Sequence, residues 1–210
     1  VPEVEELETH GAYVVGYTDG TFGPDRDMTR SEAATIFARL LAQRNGEHIT
    51  APTKTTFPDV PVNAWYAGYV SYLARYSIAV GYIDGLFHGD EPITRAEFTA
   101  MAVRFFDTYG DGDPAIMEEY GGFWDVSPGH WAAGYIEDAA RYGWGVGYGD
   151  GTFHADDEIT RAEVVTIVNR LLGREADQEY IADHPRGLVL FLDVSKGYWA
   201  YYDILEAANH

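Results

Sequence analysis

Three stretches of the chain share one hydrophobic rhythm. Ala33, Ile36, Phe37 and Leu40, then Phe98, Met101, Ala102 and Phe105, then Val164, Ile167, Val168 and Leu171 fall at i, i+3, i+4 and i+7. That spacing gathers four apolar side chains on one face of an α-helix, so each stretch predicts an amphipathic helix with one buried side. A second rhythm predicts another helix upstream of the later two. It is carried by Trp65, Tyr69, Val70 and Leu73, and again by Trp131, Tyr135, Ile136 and Ala139. Near the C-terminus only Trp199, Ile204 and Ala207 keep the second pattern, because Asp203 stands in place of the Tyr.

The two rhythms belong to one repeated unit. Phe57–Asp107 and Phe123–Gly173 align without a gap, with Trp65 and Trp131, Gly81 and Gly147, and Thr94 and Thr160 each 66 positions apart. Val14–Leu40 matches only the second half of the unit and Phe191–His210 only the first half, so two whole copies and two complementary halves make three. Polar linkers at 43–56, 108–122 and 173–190 read as loops. The expected fold is all-α. Three helix-loop-helix repeats form one closed domain over 1–210, with sub-repeats 11–42, 57–107, 123–173 and 191–210, the last completing the first. Since an isolated short helix is marginal in water, the two orphan halves are expected to bury their faces on each other. Trp199, Ile204 and Ala207 would then lie near Ile36, Phe37 and Leu40 in a monomer, with exchange into a swapped dimer as the rival.

Composition narrows the function. With 34 acidic against 14 basic residues and a net charge of −20, the surface repels nucleic acid and anionic membrane, so an anionic ligand needs a local cationic pocket. There is no cysteine for a disulfide or thiolate site, no 18-residue apolar run, and no charged-then-apolar leader. The first residue, Val1, suggests a fragment of a longer protein.

Some repeated residues have structural roles available. Thr29 to Glu32, Thr94 to Glu97 and Thr160 to Glu163 have the S/T-x-x-E form of a capping box, worth about 0.5–2 kcal/mol per cap. Arg30, Arg95 and Arg161 are not explained by it, because a cation at the first helical position opposes the helix dipole. They are either struts paired with carboxylates or groups facing an anion. Arg39, Arg104 and Arg170, in the last turn, sit where the dipole favours a cation and are assigned to structure. Gly16, Gly81 and Gly147, with Tyr17, Tyr82 and Tyr148, begin Asp-Gly turns pinned by Phe22, Phe87 and Phe153. The same Gly and Tyr residues also offer an accessible backbone and an aromatic wall, which suits a sugar. Trp65, Trp131 and Trp199 read as core anchors or as sugar platforms.

These segments, in order F-x-D-V, W-A, a helix, G-Y-x-D-G-T-F and T-R-A-E, resemble the S-layer-homology domain family. The resemblance implies a pseudo-threefold helical module of exported bacterial proteins, located extracellularly in the cell wall or S-layer. Its grooves between repeats would bind a secondary cell-wall polymer carrying pyruvate ketal on an N-acetylmannosamine-type sugar. It implies ligand contacts for Arg30, Arg95 and Arg161, and it implies neither enzymatic activity nor a cofactor. The chain departs from the pattern after the Phe, with Gly23-Pro24, His88-Gly89 and His154-Ala155 in place of Arg-Pro. The grooves are therefore expected to be unequal, and His88 and His154, protonated on acidification, are expected to help hold a carboxylate.

Three rivals have a basis in the residues. Carboxylates such as Asp84 and Glu97 suggest glycosidase chemistry, but the repeated ones already have cap or turn roles and no catalytic motif accompanies them. Asp107, Tyr109, Asp111, Gly112 and Glu118 follow the spacing of a calcium loop, with Tyr109 and Pro114 against it. The acidic surface also suits an amine-modified peptidoglycan or a protein partner.

Overall fold

The computed structural model describes residues 11–110, 122–145, 147–184 and 187–209. Among these it is helical, with no strand. The three rhythms at i, i+3, i+4 and i+7 become α1 (Arg30–Asn45), α3 (Arg95–Tyr109) and α5 (Arg161–Leu171), each opened by a complete capping box on Thr29, Thr94 or Thr160. Each is buried on most sides along its first three turns, not on the single face expected, because neighbouring copies enclose it. The preceding units become α2 (Ala67–Arg75) and α4 (Ala133–Arg141). The linker read as loop at 173–190 holds a short helix, α6 (Gln178–Asp183), because Asp177 caps it by accepting from the Tyr180 amide. The last helix is α7 (Tyr201–Ala208).

Trp65, Trp131 and Trp199 do not lie on buried helix faces as core anchors. The helices begin two residues later, and it is the intervening Tyr66, Ala132 and Ala200 that turn inward. The three indoles are left 59%, 58% and 61% exposed.

The copies are joined cyclically. Ahead of each capping box, the Met28 amide donates to Ile159 O at 2.9 Å, Ile93 to Met28 O at 2.9 Å, and Ile159 to Ile93 O at 3.1 Å. Each of these three buried residues thus gives and receives one bond, a closed ring among the copies. Around it, the first helix of each unit leans on the second helix of the copy before: α2 on α1 and α4 on α3. The same rule sends α7 onto α5, so α7 does not use α1 as its main seat, contrary to the expectation that the two orphans would cover each other. The tail meets the first copy through its loop. Phe191 packs on Phe22 at 5.1 Å, and the Asp193 carboxylate accepts from the Phe22 and Gly23 amides, both at 2.7 Å. Asp59 does this for Phe87 and His88, and Asp125 for Phe153 and His154. The Tyr13 and Val14 amides also donate to Ala207 O, bringing the two ends of the described chain together.

Candidate functional site

Each Gly-Tyr-x-Asp-Gly stretch closes the same turn. The Tyr17, Tyr82 and Tyr148 amides donate to the carbonyls of Thr21, Leu86 and Thr152 at 2.7, 2.8 and 2.8 Å. Asp19, Asp84 and Asp150 each accept the amide two residues on, and the following glycines take φ of +84°, +81° and +86°, which only glycine adopts without strain. The glycines before the Tyr have a different reason. A Cβ on Gly147 would lie 2.2 Å from Thr152 O and 2.3 Å from the Phe123 ring, and Gly16 and Gly81 are crowded in the same way by Phe191 and Phe57. Packing of the F-x-D phenylalanine accounts for them, and Gly81 and Gly147 also border cavities.

Each Arg at a first helical position is driven into the loop of the next copy. Arg30 is 5% exposed, donates from Nε to Phe87 O at 2.9 Å and from Nη2 to Val80 O at 3.1 Å, and lies 4.5 Å from the Tyr82 ring centroid. Its Nη1 is 3.4 Å from Glu97, the Glu of the next capping box. Arg95 repeats this on Phe153 O (2.7 Å), Glu163 (2.7 Å) and the Tyr148 ring (4.7 Å). Arg161 bonds Phe22 O and Val15 O, and burial lowers its pKa. The dipole penalty is thus offset by carbonyls and rings in all three copies, and by a carboxylate at Arg30 and Arg95, the contacts expected of struts between copies.

The two cap glutamates carry several bonds each. Glu97 closes its own cap and accepts from Tyr82 OH while facing Arg30; Glu163 accepts from Tyr148 OH at 2.9 Å as well as from Arg95. Burial first, then these phenol-to-carboxylate bonds, push the Tyr82 and Tyr148 pKa values up, so both remain protonated donors. The first copy is wired differently. There Glu32 is paired by Arg26 of its own loop at 2.7 Å, and Arg26 also donates to Tyr17 OH. Position 26 holds acidic residues in the other copies, Glu91 and Asp157.

Two equivalent grooves result. The first, about 420 Å³, is bordered by Arg30, Gly81, Tyr82, Glu97, Arg104 and Trp131, so residues of all three copies meet in it. The second, about 310 Å³, has Arg95, Gly147, Tyr148, Glu163, Arg170 and Trp199 in the corresponding places. Trp131 and Trp199 therefore join the Arg and Tyr expected with them; Tyr17 lies against Arg161, its ring centroid 5.1 Å from the guanidinium carbon, and Trp65 borders neither groove. Arg104 and Arg170, assigned to structure from sequence, prove to be groove cations. The signal was available, since 3.6-residue periodicity places them two turns along the face that starts at Glu97 and Glu163.

His88 and His154 border neither groove. Both sit in left-handed backbone (φ 55° and 56°) where the first copy has Gly23. His88 Nε2 is 2.8 Å from Asp84 and Nδ1 3.1 Å from Glu91, and His154 Nδ1 is 2.9 Å from Asp157. The Asp84 bond first, then the nearby charge of Glu91, raises the His88 pKa. Both imidazoles thus face carboxylates of the chain itself. No cluster of three or more metal-ligating side chains occurs among the described residues. The calcium-loop expectation depends on residues 111–118, outside the described residues. No described helix is long and apolar enough to cross a membrane.

The repeated segments that build these grooves are also what a sequence comparison matches to a known family. Residues 2–34, 56–99 and 122–165 match the S-layer homology domain, and the chain belongs to that family. It is similar to cell surface glycoprotein 1 of Acetivibrio thermocellus, 36% identical over 95% of this chain and 8% of the relative. It is similar also to the cellulosome-anchoring protein of the same organism, 36% identical over 98% of this chain and 44% of the relative. The chain thus spans less than half the length of either. A cell wall amidase of Bacillus anthracis is 29% identical over 77% of this chain and 29% of the relative. The chain groups with extracellular proteins of the cell surface and cell wall.

Proposed function

We propose that this chain is a non-catalytic anchor that holds an exported protein to the cell wall by binding an anionic secondary wall polysaccharide, pyruvylated in the form the family implies, in its inter-repeat grooves. The observation that carries this is the pairing, in both grooves, of an exposed indole with a guanidinium that has no carboxylate within ion-pair distance among the described residues. The indoles are Trp131 and Trp199, and the cations are Arg104 and Arg170. An indole face suits the apolar side of a sugar ring and a guanidinium suits a carboxylate. In a chain of net charge −20, such unneutralised cations beside exposed aromatic faces are a local exception that favours an anionic ligand over an amine-bearing one. We propose a monomer, since the tail contacts of Asp193 and Phe191 can be satisfied within one chain.

The test is a pull-down on purified wall sacculi before and after extraction of the non-peptidoglycan polymer, with the parent and an Arg104→Ala/Arg170→Ala variant. Binding is expected to vanish on extraction and to fall in the variant by roughly 1–3 kcal/mol per groove, the range for a lost charged hydrogen bond. Undiminished binding to extracted sacculi would overturn the polymer reading. Full binding by the variant would remove the groove cations from it.

A further inference from the structure

The second groove does not end where the first one does. In the first, Arg104 is roofed by Tyr135, whose hydroxyl accepts from Nη2 at 3.1 Å and whose ring centroid lies 4.7 Å from the guanidinium carbon. Tyr69 covers Arg39 in the same way at 5.4 Å. The tail brings Asp203 to that position. Its carboxylate is drawn down onto α5, accepting from Thr166 Oγ1 at 3.2 Å and Asn169 Nδ2 at 3.4 Å. Among the described residues no ring covers Arg170.

The consequence is a second opening. Arg170 and Trp199 border both the groove and an adjoining cavity of about 570 Å³, walled by Arg174, Glu175, Gln178, Tyr202 and Asp203. The two cavities differ in charge. The groove has Arg95 and Arg170 against Glu163 alone, whereas the adjoining cavity balances Arg170 and Arg174 with Glu175 and Asp203. Its remaining walls are an amide, a phenol and an indole, a lining that orients hydroxyl groups and covers an apolar ring face. Arg174 is fixed there by its bond to Gly11 O at 3.1 Å and by the Tyr13 ring.

We propose that this cavity is a subsite for an uncharged sugar that extends the second groove alone, so that this groove takes two consecutive sugars of one glycan. The charged sugar lies against Arg170 and the neutral one beyond Trp199. The proposal rests on the reading of the grooves as carbohydrate sites. It makes the replacement of Tyr by Asp203 the device that lengthens one groove while leaving the first closed at its Tyr.

The probes are soluble fragments of the wall polymer, cut from purified sacculi and sized into one-sugar and two-sugar fractions, titrated by calorimetry. The parent is expected to bind the two-sugar fraction roughly tenfold tighter at one class of site, the worth of one or two added hydrogen bonds. Asp203→Tyr, which supplies the roof found in the first groove, should erase that preference while one-sugar binding persists. Because Asp203 also contacts α5, a Glu175→Ala/Gln178→Ala variant, altering only exposed walls of the added cavity, gives an independent reading and should lower two-sugar affinity several-fold. Equal affinities for the two fractions in the parent, or a preference that survives both variants, would overturn the extension and leave the groove reading standing. Failure of both fractions to bind would overturn the groove reading and this proposal together.

Discussion

Replacement of Arg95 by Ala tests whether the repeated arginines are struts. Three supports vanish with the guanidinium: the bond to Phe153 O, the ion pair with Glu163, and the stacking on Tyr148 and Phe153. Breaking a fully buried pair costs about 3–5 kcal/mol because the surviving charge is stranded. Glu163 retains 18% side-chain exposure and keeps the Thr160 and Tyr148 bonds, so water relieves part of this. The unpaired carbonyl adds about 1 kcal/mol, and the net expectation is a loss of about 2–4 kcal/mol. For a chain of this size that lowers Tm by roughly 5–15 °C.

Equilibrium urea unfolding measures it directly, with Glu163→Gln and the double variant closing a thermodynamic cycle. The two single changes should be strongly coupled, since each removes the same pair. Arg104→Ala is the comparator. Arg104 donates to the Tyr135 hydroxyl and lies over its ring, with no carboxylate partner among the described residues, so its loss should cost under about 1 kcal/mol. A cost below about 1 kcal/mol for Arg95→Ala, or additivity with Glu163→Gln, would refute the strut assignment and return Arg95 to the ligand.

Gly147→Ala should destabilise the protein by about 2–4 kcal/mol in the same assay, because its Cβ would meet a carbonyl at 2.2 Å and the Phe123 ring at 2.3 Å, while Gly149→Ala, with nothing within 4 Å, should be near neutral. The raised pKa of His88 makes its contribution to stability full below the ordinary value near 6.5 and progressively lost as pH rises through the higher folded value. His88→Gly removes that dependence and also relieves a left-handed backbone. The variant should therefore melt no lower than the parent at pH 8 and lose ground to it only in mildly acidic buffer, as followed by Tm against pH.

Repetition made the helices legible, since a buried face presented three times at one spacing admits one reading and the Thr-to-Glu caps mark where α1, α3 and α5 begin. It was less informative about contacts between copies. A periodic sequence does not say whether a helix packs on its own copy or on its neighbour, and α7 settled on α5 because every first helix in the chain leans backward. The same gap hid the site. Arg104 reads as a dipole-favoured last-turn cation when α3 is taken alone; it becomes a groove residue only when Trp131 arrives from the next copy. Trp131 itself reads as core until the helix is found to begin at Ala133, leaving the indole outside. The glutamates were hidden for the opposite reason. Their caps explain Glu97 and Glu163 so fully in sequence that nothing signals the second carboxylate oxygen, which receives the tyrosine hydroxyl in both copies and Arg95 in one. One residue thus serves helix start, copy interface and groove wall, and for that reason exchange of Glu163 should disturb all three where exchange of Arg170 disturbs the groove alone.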